Sequence, residues 1–202
     1  MKPHEAQALD QGSPLLEALG PLTRRPGRAV LIGGSVEDAL AWTRRLPLCV
    51  FHRLAEGPDV GHECIVDHAG GPDDDMALDR LTLGVGAEPL DLIVHAASPD
   101  AGEVSRVLLR LFADRLASGG RYVVTGWAGP ELASSPADHR PMAWAGMAPA
   151  SARTASSDQG AAGFLKALAD HVAASGPDAP TDVCLPVRSI AFLKVAVVLS
   201  RW

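Results

Sequence analysis

Short apolar runs alternate with amphipathic stretches along this chain, and the clearest example lies between Asp91 and Trp127. Leu92-Ile93-Val94 follows an acid and opens into a small-residue loop, Ala96-Ala97-Ser98-Pro99-Asp100. An amphipathic segment then predicts a helix from about Gly102 to Ala117, and Gly119-Gly120 release the chain into Arg121-Tyr122-Val123-Val124. A brief, continuous apolar run bounded by turn residues marks a buried strand. Parallel strands need a crossover of this kind, and in open α/β sheets ligands sit beyond the carboxyl ends of the strands. Function is therefore to be sought in the loops from His95 to Asp100 and from Thr125 to Gly129.

The same alternation runs through most of the chain. Arg28 to Ile32 predicts a first strand, followed by the turn Gly33-Gly34-Ser35 and a helix from about Val36 to Arg45. Leu48 to Phe51 suits a second buried strand, and Glu63 to Val66 a third that ends at Asp67. Met76, Leu78, Leu81 and Leu83 allow a helix between Asp73 and Leu83. Its three leading aspartates occupy the end that favours negative charge, and they read as a helix N-terminal cluster, not a cation site. Residues 1–27 form a polar lead-in with one short helical candidate, Ser13 to Leu19, capped by Ser13 with Pro14 in the first turn. From Ala128 to Ser156 the pattern breaks into an Ala, Pro, Gly and Ser-rich stretch holding Met142, Trp144 and Met147. It is too long for an ordinary connection, so it is either a lid over the site or disordered. A helix resumes near Ser157, with Phe164, Leu165, Leu168 and Val172 on one face, and the apolar, β-rich run from Val183 to Leu199 is buried strand. Repeating strand and helix predict a single α/β domain over residues 28–202, built on a mostly parallel, doubly wound sheet.

Composition narrows the partners. The 202 residues suffice for one domain with a proper core. A formal charge of −6, with arginines scattered among acids, excludes a phosphate-backbone binder, so no nucleic acid is expected. No stretch approaches the roughly 20 apolar residues of a membrane helix, and Met1-Lys2-Pro3-His4-Glu5 lacks the apolar core of a signal peptide. The expectation is a cytoplasmic protein that does not enter a membrane. Cys49, Cys64 and Cys184 are odd in number, far apart and flanked by apolar residues, which predicts buried thiols and neither a disulfide framework nor a metal site.

Three blocks carry a family resemblance: Asp91 to Ser98, Leu111 to Val124, and Val187-Arg188-Ser189-Ile190-Ala191-Phe192-Leu193 through Val198. In order, over roughly residues 28 to 201, the chain resembles the class I S-adenosylmethionine-dependent methyltransferases. The likeness is closest to the macrocin and sugar O-methyltransferase branch that includes cephalosporin-hydroxylase-type proteins. The resemblance implies a Rossmann-like methyltransferase fold, mostly parallel, with a C-terminal antiparallel strand. In that family the first strand ends in Glu-x-Gly, the second in an acid that grips the ribose hydroxyls, and a further acid often faces the adenine. This chain keeps the glycines in Leu31-Ile32-Gly33-Gly34-Ser35 without the acid. It offers Phe51-His52-Arg53 at the second position, with Glu56 the nearest acid, and it places Asp67 where the adenine acid stands. The branch also holds a divalent cation with an Asp-Asp-x-Ser-His run and a Glu-Asp pair. Here those places read His95-Ala96-Ala97-Ser98-Pro99 and Thr125-Gly126, which lack the hard oxygen ligands that Mg²⁺ requires, so no bound metal is expected.

Val30-Leu31-Ile32-Gly33-Gly34-Ser35 and His95-Ala96-Ala97-Ser98 are also similar to the glycine turn and fourth-strand motif of short-chain dehydrogenases. That family's Tyr-x-x-x-Lys pair is absent, because the one tyrosine, Tyr122, lies inside a predicted strand, and the third glycine of G-x-G-x-x-G is missing too. An inactive dehydrogenase-like domain is therefore the third reading. The sheet order separates the two folds, since the methyltransferase fold ends with a reversed strand inserted beside the fifth.

The leading expectation is a metal-independent small-molecule O-methyltransferase of specialised metabolism. Gly33, Gly34, Ser35, His52 and Asp67 would hold S-adenosylmethionine, and His95 would deprotonate an acceptor hydroxyl. Ser98, Trp127 and Trp144 would line the substrate pocket. Each has a plainer reading: a histidine hydrogen-bonded at a loop start for His95, an exposed loop histidine for His52, a helix cap for Ser98, a tight turn for Gly33 and Gly34, and a packed loop or homo-oligomer contact for the tryptophans. The alternative to an enzyme of this kind is a degenerate methyltransferase-like protein that binds a protein partner or catalyses another reaction in the same pocket.

Overall fold

The computed structural model describes residues 27–96, 101–125, 160–174, 185–192 and 196–202. Seven strands join in one sheet: β1 (Arg28–Ile32), β2 (Val50–Ala55), β3 (Ile65–Ala69), β4 (Leu90–His95), β5 (Leu116–Thr125), β6 (Val187–Phe192) and β7 (Ala196–Arg201). Their spatial order is β3-β2-β1-β4-β5-β7-β6. The first five run parallel, whereas β7 is antiparallel to both β5 and β6. A reversed strand therefore lies beside the fifth, and the mostly parallel sheet with a C-terminal antiparallel strand is the Rossmann-like methyltransferase arrangement.

The central strands are buried on both faces, and their side chains divide by parity. Val30, Ile32, Leu54, Ile93, Tyr122, Val124 and Leu199 enter one core cluster. Ala29, Leu31, Phe51, Leu92, Val94, Val123 and Val198 enter the other. The first face is covered by α2 (Asp75–Val85), by the composite helix that begins with α3 (Ala101–Val107), and by α4 (Gly160–Ala174). The second is covered by α1 (Val36–Arg45) through Ala39 and Trp42.

Local chemistry explains the helix starts. Ser35 caps α1 in a reciprocal capping box with Asp38. Asp74 caps α2 by accepting the Met76 N–H at 2.8 Å, and Asp75 and Asp79 pair with Arg110, so the aspartate cluster belongs to the helix start. On α2 the residues Ala77, Leu78, Leu81 and Val85 are all buried, one helical stripe against the sheet. The composite helix continues from α3 through a π-helical stretch, Leu108–Phe112, to a last turn, Ala113–Arg115.

Several expected boundaries move. β2 begins at Val50 and extends to Ala55, four residues past the expected end at Phe51, and β3 runs on to Ala69. Polar side chains hid both extensions: His52 and Arg53 are buried in β2, and Asp67 and His68 occupy β3. The helix expected to reach Ala117 ends at Arg115, because Leu116 already pairs with Leu90, and the register then slips before Arg121 pairs with Leu92. Cys49 is buried, but Cys64 is only half-buried in the turn before β3. The N-terminal helical candidate, the 128–156 segment and Cys184 lie outside the described residues. Among those residues no helix is long and apolar enough to cross a membrane.

Candidate functional site

The carboxyl ends of β1 to β4 lie side by side. After β1, Gly33 and Gly34 have φ of 70° and 78°, the left-handed region that glycine enters without strain. The turn is tied to both neighbours. The Gly33 N–H donates to the Leu54 carbonyl at 2.9 Å, and the Ala96 N–H donates to the Ile32 carbonyl at 2.8 Å. A Cβ on Gly34 would sit 3.3 Å from that of Ala96, so backbone is left bare at the junction of β1 and β4. Ser35 stands at the same place, but its N–H and hydroxyl both donate to Asp38 Oδ2, at 2.9 and 2.8 Å. Its expected cofactor role competes with this cap.

Glu56 follows the last residue of β2 and is exposed. Its Oε1 lies over Gly71, 3.2 Å from where a Cβ would be, and Asp73 Oδ1 would be 2.5 Å from the same point. Beneath it, the Gly70 N–H donates to the Ala55 carbonyl at 3.2 Å. Glu56 therefore stands directly at the end of β2. The signal was available: Gly57-Pro58 is the first turn dipeptide after Leu48, so the strand has no reason to stop at Phe51.

Two expected cofactor residues lie elsewhere. Asp67 is inside β3, not in the cleft; its Oδ1 pairs with Arg53 at 2.9 Å and its Oδ2 accepts the Val60 N–H at 2.7 Å. His52 is inside β2 and 5% exposed, with its Nδ1 3.1 Å from His68 Nε2 and the two rings stacked. Burial lowers the pKa of both imidazoles; the neighbouring His68 and Arg28 add to this for His52, and Asp67 opposes it for His68. Neither ring reaches a strand end, so a ribose contact from His52 is not supported by its placement.

His95 does close β4, yet its side chain is directed into the core. It is 1% exposed, its Nδ1 is 2.9 Å from the Tyr122 hydroxyl, and its Nε2 is 4.0 Å from Glu103 Oε2 at the first turn of α3. Burial, and secondarily Glu103, raise the Tyr122 pKa well above its usual value, so the phenol keeps its proton. A base must touch the acceptor it deprotonates. In this structure the buried ring bonds to Tyr122 and ties the end of β4 to β5. Ser98, Trp127 and Trp144 lie outside the described residues.

Among the described residues no three His, Cys, Asp or Glu side chains converge to hold a metal ion. A shallow cavity at the opposite edge of the sheet, beside Pro89, Asp114 and Trp202, carries no free cation: its Arg115 and Arg201 donate to the carbonyls of Gly86 and Leu116.

No protein-family model matches the chain, and no curated protein does. Solved structures do. The MycE methyltransferase of the mycinamycin biosynthetic pathway, in complex with Mg and SAH, matches with a TM-score of 0.67 and 18% identity, over 94% of this chain and 48% of that one. A second structure of MycE, with Mg, SAH and mycinamycin VI, matches with a TM-score of 0.66 and 19% identity over the same shares. This chain thus spans about half the length of those neighbours. Identity at this level shows the fold, and the fold is that of an S-adenosylmethionine-dependent methyltransferase.

Proposed function

We propose that this protein binds S-adenosylmethionine along the carboxyl edge of β1 to β3 and transfers its methyl group to a hydroxyl of a small molecule. The observation that carries the reading is the conjunction of the bare Gly33-Gly34 turn with an exposed Glu56 at the next strand end. Bound there, the cofactor would supply an electrophilic methyl group on a sulfonium. Gly33 and Gly34 fit the approach of its amino-acid portion, where a side chain would block the way. Glu56 fits its ribose, because a carboxylate accepts from two hydroxyls at once.

The chain's own groups would do the rest by orientation. The capped start of α1 fixes Gly34 against Ala96, and the Tyr122–His95 hydrogen bond fixes the last residue of β4 from below. We infer that transfer is metal-independent, since His95, Ala96 and Thr125 offer no carboxylate where the resembling branch has its hard ligands. The MycE neighbours contain Mg, and the proposal differs from them on this point. Cytoplasmic location and a role in specialised metabolism belong to the same proposal.

A second reading has its own observation. The Ser35 N–H and hydroxyl are both satisfied by Asp38, and Asp67 is spent on Arg53, as they would be in a protein that binds a protein partner and no longer uses the cofactor. Transfer of label from methyl-labelled S-adenosylmethionine to a panel of hydroxylated small molecules, with EDTA or with Mg²⁺, tests both. Equal labelling in the two conditions supports the proposal, whereas strict Mg²⁺ dependence contradicts its metal-independent part. Absence of labelling together with absence of cofactor binding favours the second reading.

A further inference from the structure

The Arg53–Asp67 pair lies one layer below the cleft and is tied to it through the backbone. Arg53 is 3% exposed, and its Nη1 donates both to Asp67 Oδ1 at 2.9 Å and to the Pro58 carbonyl at 3.1 Å. The other carboxylate oxygen, Oδ2, accepts the Val60 N–H at 2.7 Å. One ion pair spanning β2 and β3 thus holds two points, Pro58 and Val60, of the exposed loop that begins with Glu56. Val60 also packs against the second core cluster, whereas Glu56, Gly57, Pro58 and Asp59 are all exposed.

Stability alone is a poor account of such a pair. Desolvating two charges costs about as much as their attraction returns, and apolar replacements of similar volume are often neutral or stabilising. Here the cost is greater still, because Arg53 Nε is buried with no hydrogen-bond partner among the described residues. An unsatisfied buried donor costs on the order of 1–3 kcal/mol. What the pair supplies, and an apolar pair would not, is directional grip on the loop's backbone.

We propose that the buried Arg53–Asp67 pair is a positioning device for Glu56, stapling the loop from Glu56 to Val60 so that the Glu56 carboxylate is held over Gly71 to accept the ribose hydroxyls of an adenosyl cofactor. This rests on the S-adenosylmethionine reading of the site. Asp67, expected from the sequence to meet the cofactor itself, acts through Glu56.

A double-mutant cycle tests it. Affinity for S-adenosylhomocysteine is measured by calorimetry for the wild-type protein, Asp67→Asn, Glu56→Gln and the double variant. The doubly apolar replacement Arg53→Met with Asp67→Leu serves as a variant that leaves no buried charge. The expected result is a loss on the order of ten- to a hundredfold for Asp67→Asn, the scale on which a small misplacement of a binding group acts. That loss should nearly vanish when Glu56 is already Gln, and the apolar variant should fold yet show it too. Equal losses from Asp67→Asn in both backgrounds, or full affinity in the folded apolar variant, overturn the positioning role and leave the cofactor reading intact. Failure of the wild-type protein to bind overturns the cofactor reading, and the positioning role falls with it.

Discussion

The Tyr122 hydroxyl lies 2.9 Å from His95 Nδ1, although the two residues are not opposite each other: Tyr122 pairs with Ile93, and His95 with Val124. The bond is a diagonal one across the parallel β4–β5 ladder, inside the core. It joins the end of β4 to the middle of β5. Phe112 packs on the far side of the phenol, with ring centroids 6.3 Å apart.

Tyr122→Phe keeps that packing and removes the hydroxyl. We expect a loss of about 1–3 kcal/mol, the cost of leaving a buried polar group without its partner. Urea unfolding of the variant gives the value. A companion His95→Leu change in the same background should cost less than it does alone, because the interaction is then already gone. Additive losses would show that the two side chains are not coupled.

The His52–His68 pair makes stability depend on pH on the acid side. Both folded-state pKa values lie below the reference of 6.5, so the unfolded chain takes up protons more readily. Stability from this source is therefore complete above pH 6.5 and is lost as pH falls through the depressed values. The charge of Arg28 adds to the cost of protonating His52, and that of Asp67 eases protonation of His68. The urea midpoint should fall between pH 7.5 and pH 5.5, and His68→Leu should flatten that fall; an unchanged slope in the variant assigns the acid sensitivity elsewhere.

Gly34→Val should be strongly destabilising or abolish ligand binding. The residue sits at φ 78°, and its new Cβ alone would press on Ala96 at 3.3 Å. Left-handed backbone costs an ordinary L-residue roughly 1–2 kcal/mol, and more when it is β-branched. Gly61, also left-handed at φ 65° but with nothing within 4 Å, is the control: Gly61→Ala should carry the backbone cost without the collision. Thermal unfolding of the two variants side by side separates strain from crowding.

Cys49 and Cys64 should differ in reactivity. Burial, reinforced by Asp91, pushes the Cys49 thiol up to about 12, so almost none is thiolate at neutral pH. In native protein at pH 8, iodoacetamide should modify Cys64 first and Cys49 only after unfolding, as read by mass spectrometry of the peptides. Comparable rates at both would show that the strand start at Cys49 opens readily.

The parts of the fold legible in the sequence were those governed by burial. β1, β4 and β7 are the apolar runs that a buried sheet requires, and Gly33-Gly34 and the Ser35 cap announce the first turn through local chemistry; β6, expected to be buried, lies at the sheet edge with Arg188, Ser189 and Ala191 exposed. β2 and β3 were read short because His52, Arg53, Asp67 and His68 interrupt their apolar pattern. Those side chains satisfy one another across the ladder, through the His52–His68 and Arg53–Asp67 pairs. Pairing between strands distant in sequence leaves no periodic trace. A β2 that stops at Phe51 leaves Glu56 away from the strand end and puts His52 in the following loop, whereas the strand runs on to Ala55. His95 was placed at the correct strand end, but which way its ring turns depends on Tyr122, 27 residues further on.

Whether the carboxyl edge of β1 to β3 takes an adenosyl cofactor is decided by calorimetric titration of the purified protein with S-adenosylmethionine and S-adenosylhomocysteine, with NADPH as the control nucleotide. Micromolar binding of both adenosyl ligands, weakened by Glu56→Gln, with no binding of NADPH, is the result this account predicts. Failure of both to bind, or a preference for NADPH, would contradict it.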